Sequence, residues 1–345
     1  ATGFYRLEPI TEADRPPHPF PTRLSETGLF SSVAEHIPHP AALPFEVAAP
    51  QWADGATLER FAALPGLERI EQRPQLNAGG SWSLPNGSVL VQTLSLDVVD
   101  RSGKPIRKRV ETRLLNRQFG EWASFSYRWN EDQTDAELVS ASGDVELFDV
   151  ADPNAPGGFR EQTWRFPARA ECMVCHSRAS GFVLGFSPLQ LDRDRDYGGI
   201  VDNQLRTLEH IGVFEGDLPP RLEDRPRLVN PYDDSAPTEA RVRSYFHVNC
   251  STCHVKEGGG NSLMELALTT PRDRMRLIDE EPVHSRFEIP DARLVAPGEP
   301  ERSVLYHRIN RRLTGQMPPL MSTEIDREAV QLIADWIRNL PTSSR

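Results

Sequence analysis

The chain has 345 residues, enough for two or three domains at roughly 150 residues each. Its 39 Lys plus Arg against 50 Asp plus Glu leave a net charge of −11, which excludes a surface built to neutralise nucleic-acid phosphates or anionic lipid. No run approaches the roughly 18 apolar residues that a transmembrane helix requires, and 30 prolines with 23 glycines scattered along the chain predict short elements joined by rigid turns.

Residues 1–44 read as an extended, polar lead-in, with prolines at 16, 17, 19, 21, 38, 40 and 44 and one short helix expected over Leu24 to Glu35. From 45 to 166 the signal is strand. Ser88 to Val99 is β-branched and apolar, and Asp100 to Gly103 follows as a turn. In Trp122 to Trp129, Ala123, Phe125, Tyr127 and Trp129 alternate with Ser124, Ser126 and Arg128. Further strands expected over Arg109 to Leu115, Val145 to Val150 and Glu161 to Phe166 suggest an antiparallel sandwich with its aromatics in the core.

From residue 167 the pattern turns helical and carries all four cysteines, as Cys172-Met-Val-Cys175-His176 and Cys250-Ser-Thr-Cys253-His254. Both are C-x-x-C-H. Two thiols three positions apart in a helical turn each add to a haem vinyl group, and the adjacent His reaches the iron. A zinc tetrad or a redox dithiol also uses C-x-x-C, but neither gives a reason for a His after both pairs. The expected cofactors are therefore two covalently bound haem c groups on Cys172, Cys175, Cys250 and Cys253, with His176 and His254 as axial ligands. Haem c is attached outside the bacterial cytoplasm, so a periplasmic or extracellular location is expected. No charged and apolar export segment opens the sequence, which is expected to be a mature or trimmed form.

The two halves repeat in order. After each motif come an Arg-Asp pair, a short helix (Asn203 to Ile211; Ser303 to Asn310), a Gly-x-x-Pro-Pro turn and an amphipathic helix (Thr238 to Asn249; Ile325 to Asn339). Met264 to Leu268 and Ala292 to Ala296 suggest a small added hairpin in the second half. The expected fold is multidomain α+β: an N-terminal antiparallel β-sandwich-like domain (45–166), then two tandem all-α cytochrome c-like domains (167–246 and 247–345). In the second, Met317 of Gln-Met-Pro-Pro stands where a distal thioether ligand is expected, with Met321 as the alternative. Leu218 occupies the matching place in the first half and cannot bind iron. A sixth ligand there falls to His210, to His247, or to none, and an open iron would take peroxide or another small ligand.

Together these segments resemble a bacterial family of dihaem c-type cytochromes with a β-rich N-terminal region. The resemblance rests on Leu24-Ser-Glu-Thr-Gly-Leu-Phe30, Trp52-Ala-Asp-Gly55, Glu111-Thr-Arg-Leu-Leu115, Tyr127-Arg-Trp-Asn130 with Gln133-Thr-Asp-Ala136, and both motifs with their preceding Glu171 and Asn249. Asn203-Gln-Leu205, Pro297-Gly-Glu-Pro300 and Met317-Pro-Pro319 extend it, and Gly3 to Pro9 looks like the exit strand of a quinoprotein propeller. The resemblance implies periplasmic or extracellular electron transfer between a donor such as a PQQ-dependent sugar or sorbosone dehydrogenase and a further cytochrome or oxidase. A dihaem peroxidase-like enzyme is the alternative. The resemblance assigns the β-rich region no function.

Overall fold

The computed structural model describes residues 20–72, 82–100, 102–218 and 227–342. The propeller-like strand expected over residues 3–9, prolines 16, 17 and 19, and the Pro-Pro pair at 219–220 lie outside them. In place of a helix over Leu24 to Glu35 the chain makes one 3-10 turn, Leu24–Thr27, ended by Gly28 at φ 70°. Such a left-handed residue, favourable for glycine, stops a helix and redirects the chain. Strands β1 (Phe30–Ser32) and β2 (Ile37–Pro38) then form a small hairpin.

The centre of the molecule is one antiparallel sheet. It is built from β3 (Leu43–Pro44), β4 (Thr57–Ala63), β7 (Val89–Val99), β8 (Pro105–Gln118), β9 (Glu121–Trp129), β10 (Ala136–Leu138), β11 (Asp144–Ala151) and β12 (Phe159–Phe166); β5 (Glu71–Gln72) and β6 (Trp82–Ser83) pair separately. The order is β10-β9-β8-β7-β11-β12, and β4 shares the free edge of β7 with β11: it pairs with Val89 to Ser95, and β11 begins at Val98. Strands that a sandwich would place in two layers are thus in one ladder.

Period-two alternation gives the sheet two apolar faces. On one, Phe61, Val91, Leu114, Tyr127 and Trp129 pack under Leu24, Val33 and Phe30 of the lead-in segment. On the other, Ala62, Leu90 and Leu115 meet residues from beyond 180.

The second half contains α1 (Arg169–Cys175), α2 (Pro188–Leu191), the hairpin β13 (Asp194–Asp196) and β14 (Val201–Asn203), α3 (Gln204–His210), α4 (Thr238–Asn249), α5 (Val304–Ile309) and α6 (Arg327–Arg338). The expectation of a β-sandwich-like domain followed by two tandem all-α cytochrome c-like domains is corrected: strand makes up 28% of the described residues against 19% helix. The reason is visible in the packing. Helices of seven, four and seven residues cannot enclose a core of their own. They bury Val183, Phe186, Leu191, Leu208 and Phe214 against Phe45, Ala62, Ile70 and Leu115 of the β region. Ile70 even joins the later segment by backbone, its N–H donating to the Val213 carbonyl and its carbonyl accepting from Glu215, both at 2.9 Å.

Among the described residues only the C-terminal part has a helical core. Val330, Ile333, Trp336, Ile337 and Leu340 of the α6 stripe meet Val242 and Phe246 of α4 with Leu305 and Ile309 of α5. Trp336 stands edge-on to Phe246 at 5.8 Å, and Asp326 caps α6 by accepting from the Ala329 N–H at 3.0 Å. The expected 264–268/292–296 hairpin does not form: Glu265 donates to the Met275 carbonyl, and Val295 bridges Ile278. Among the described residues no helix is long and apolar enough to cross a membrane.

Candidate cofactor site

Between the sheet and the C-terminal helices lies a cavity of about 560 Å³ lined by Cys172, Cys175 and His176, by Cys250, Cys253 and His254, and by Met317. The two motifs face one space. The first sits at the end of α1, which packs on β9. Glu171 caps that helix, accepting from the Ala168 N–H at 2.9 Å. The second follows α4 on hydrogen-bonded turns, with Cys253 and His254 N–H both donating to the Cys250 carbonyl at 3.1 and 2.9 Å.

The four thiols have different surroundings. Cys172 is buried, and burial raises its pKa although it hydrogen-bonds Ser124 and lies near Arg113. Burial also pushes Cys250 up to about 12. Cys175 and Cys253 are neighbours across the cavity: the interaction between the two thiols lowers Cys253 to about 6 and raises Cys175. All four cysteines are free. Among the described residues no three His, Cys, Asp or Glu side chains converge as a metal-ligand set, so the sulfurs do not form the tetrad that zinc requires.

The motif histidines are held as haem-ligating histidines need to be. Gly181 and Phe182 have positive φ, 77° and 63°, and the turn they make aims the Phe182 carbonyl at Nδ1 of His176, 2.5 Å away. With the Nδ1 proton donated to that carbonyl, Nε2 keeps its lone pair for a metal. Burial holds His176 below its ordinary pKa and therefore neutral. His254 is 7% exposed and also lowered by burial; its Nδ1 has no protein partner. Gly260 closes the other side of this ring, since a Cβ there would lie 2.6 Å from Nδ1. These features fit haem c at both motifs.

The remaining expected ligands separate. Met317 is on the cavity wall, with its N–H donating to the Arg308 carbonyl of α5 at 2.9 Å; Met321 and Met264 line the same space. His210 is exposed on α3 and does not line the cavity. Leu218 packs against the Phe186 cluster instead of the cavity, so the Gly-x-x-Pro-Pro match does not place equivalent residues. His247 does line the cavity, but its Nδ1 accepts from the Leu268 N–H at 3.3 Å and burial lowers it to about 4. The neutral ring then carries its proton on Nε2 and offers no lone pair.

Two contributions of the β region were not evident from the sequence. Asp54, 7% exposed at φ 53°, accepts from the Thr323 and Glu324 N–H groups at 2.8 and 3.1 Å and from the hydroxyls of Ser322 and Thr323 at 3.1 and 2.9 Å. Trp52 donates twice, its backbone N–H to Asn249 Oδ1 at 2.9 Å and its Nε1–H to the Glu324 carbonyl at 3.0 Å. The Trp52-Ala-Asp-Gly55 turn thus ties the loop after Met317 to the residue before Cys250. The second contribution is a cavity wall made by the sheet itself, with Leu58, Arg60, Leu90, Gln92, Leu94, Arg113 and Leu115.

Compared with known proteins, the chain matches no family model, no curated protein and no solved structure.

Proposed function

We propose that this chain is a dihaem c-type electron carrier acting outside the cytoplasmic membrane. One observation carries the reading: both C-x-x-C-H motifs line a single cavity, with Cys175 and Cys253 close enough to interact, so the two attachment points are neighbours. Haem bound there supplies a one-electron couple whose potential follows axial ligand and burial. The chain's own part is to hold two ligating imidazoles neutral, to present the Met317 thioether, and to keep water from the space between the motifs with the leucines of the sheet. A donor of the quinoprotein dehydrogenase type and a further cytochrome as acceptor remain part of this proposal.

The test is the intact mass and reduced pyridine spectrum of protein produced with a haem-attachment system. Two covalent haems per chain, with a bisignate Soret circular dichroism band from adjoining chromophores, are expected. One haem or none, or two with no such coupling, overturns the reading.

A second reading, reduction of a small ligand such as peroxide at the first haem, is favoured by the chemistry of the first motif's wall: β4, β7 and β8 contribute leucines, Arg60, Gln92 and Arg113, none of them a ligand for haem iron. A ferric high-spin signal that converts on adding cyanide supports it, and two low-spin irons exclude it.

A further inference from the structure

Arg60 is a cation facing the cavity without an anion. It stands on β4 with its Cα opposite Gln92 of β7, which in turn is opposite Arg113 of β8, so the three side chains share one row on the cavity face. Arg113 is neutralised: its Nε and Nη2 bind both oxygens of fully buried Glu111 at 2.9 and 2.8 Å, and Glu111 also accepts from Ser126 and Trp164. Arg60 and Gln92 have no such partner. Among the described residues neither side chain makes a hydrogen bond, ion pair or ring contact, while burial lowers the Arg60 pKa to about 10. A half-buried guanidinium that faces the cavity without a protein counter-ion is available to an anion bound there. Beside an amide that also donates, it makes a two-pronged carboxylate site.

The position of this site along the sheet selects the carboxylate. Cys172 hydrogen-bonds Ser124 on β9, at one end of the row of strands β9-β8-β7-β4, and Arg60 is at the other. Three strand spacings, about 14 Å, separate them. A haem held through Cys172, beside β9, would span a distance of that order, and its propionates would come within reach of β4. Resting on the haem reading above, we infer that Arg60, assisted by Gln92, is the anchor for a propionate of the first haem. The β-rich region then serves as one wall of a cofactor site and as its counter-ion.

The experiment uses the full chain with haem attached and reads both reduction potentials by spectroelectrochemistry in wild type, Arg60→Gln, Arg60→Lys and Gln92→Leu. A nearby cation favours the reduced iron. Arg60→Gln is therefore expected to lower one potential by up to a tenfold change in the oxidised-to-reduced ratio, about 59 mV for one electron, and to leave the other within twofold. Arg60→Lys should restore most of the shift, and Gln92→Leu should give a smaller shift of the same haem. Should Arg60→Gln not accumulate, the Lys and Leu variants carry the test. Potentials within twofold of wild type in every variant that folds, or a shift shared equally by both haems, overturn the assignment. Haem content is measured on the same samples: a chain without two covalent haems refutes the function proposed above, whereas two haems with unmoved potentials refute only the role of Arg60.

Discussion

Replacing Asp54 tests whether the β region fixes the Met317 loop at the second of the proposed haem sites. Its carboxylate gathers four donors from Ser322, Thr323 and Glu324, immediately after Met321, at 2.8–3.1 Å. Hydrogen bonds to a charged group contribute about 1.5–3 kcal/mol each. Water can reach half-buried Thr323 and Glu324 once the acceptor is gone, so the loss falls below a simple total, and Asp54→Ala should cost about 3–5 kcal/mol. Asp54→Asn keeps the volume and one acceptor oxygen but turns an NH₂ towards two donors, and about half that cost is expected. Urea unfolding supplies the free energy. The far-red sulfur-to-iron absorption of the ferric protein reports whether the Met317 loop still presents its thioether, and it should weaken in Asp54→Ala before the sheet unfolds. An Asp54→Ala protein within about 0.5 kcal/mol of wild type, with that absorption unchanged, would refute the view that this turn fixes the loop.

Met317→Ala should make one iron high-spin or markedly lower its potential; a wild-type spectrum would remove Met317 from the ligand set and direct attention to Met321. Leu218→Met should leave both haem spectra unchanged, because Leu218 packs outside the cavity; a new thioether-ligated signal would contradict that placement. Gly260→Ala should reduce the occupancy or alter the spin state of the second haem alone, since a Cβ meets His254 Nδ1 at 2.6 Å, and normal content and spectra of both haems would refute the close contact. His36, buried against Thr93 at 2.9 Å and lowered by burial despite Glu59, is neutral in the folded chain. Because the unfolded chain takes up the proton first, stability should hold above about pH 6.5, fall as pH drops below it with a limiting slope of about 1.4 kcal/mol for each step of one in pH, and level off beneath the folded value. His36→Asn should flatten that slope in urea titrations between about pH 7 and 5, and an unaltered slope would show that another group sets it.

Local patterns in the sequence were informative where one period dominated. The alternation in Trp122 to Trp129 corresponds to β9, and the stripe from Val330 to Leu340 corresponds to α6 and its contact with Phe246. The six cysteine and histidine side chains of the two motifs are among those that line the cavity, together with His247 and His284. Assembly was less legible. A β-strand with apolar residues on both faces reads equally well as sandwich core or as one sheet covered on both sides, and only the shared edge of β7 distinguishes them. The apparent repeat misled for a related reason: matching Leu218 to Met317 compares turn chemistry, whereas burial is decided by what the neighbouring helix packs against, and α3 packs on the sheet. Asp54 entered the sequence reading only within the Trp52 to Gly55 segment and with no role, and Arg60 gave no signal, because the partners of Asp54 lie some 270 positions later in the chain. An Asp-Gly turn and an Arg in a strand are ordinary until the partners, or their lack, are seen.

The proximity of Cys175 and Cys253 also constrains how the molecule is made. Given an oxidant such as a small-molecule disulfide, which leaves as two thiols, two neighbouring thiols of which one is drawn towards thiolate are set to close into a Cys175–Cys253 disulfide. That cross-link would consume one attachment sulfur from each motif at once. Cys172, buried in the wall, would be beyond the reach of an attaching enzyme once the sheet had closed over it. On the haem reading proposed above, attachment at the first motif would have to precede closure of the sheet over Cys172.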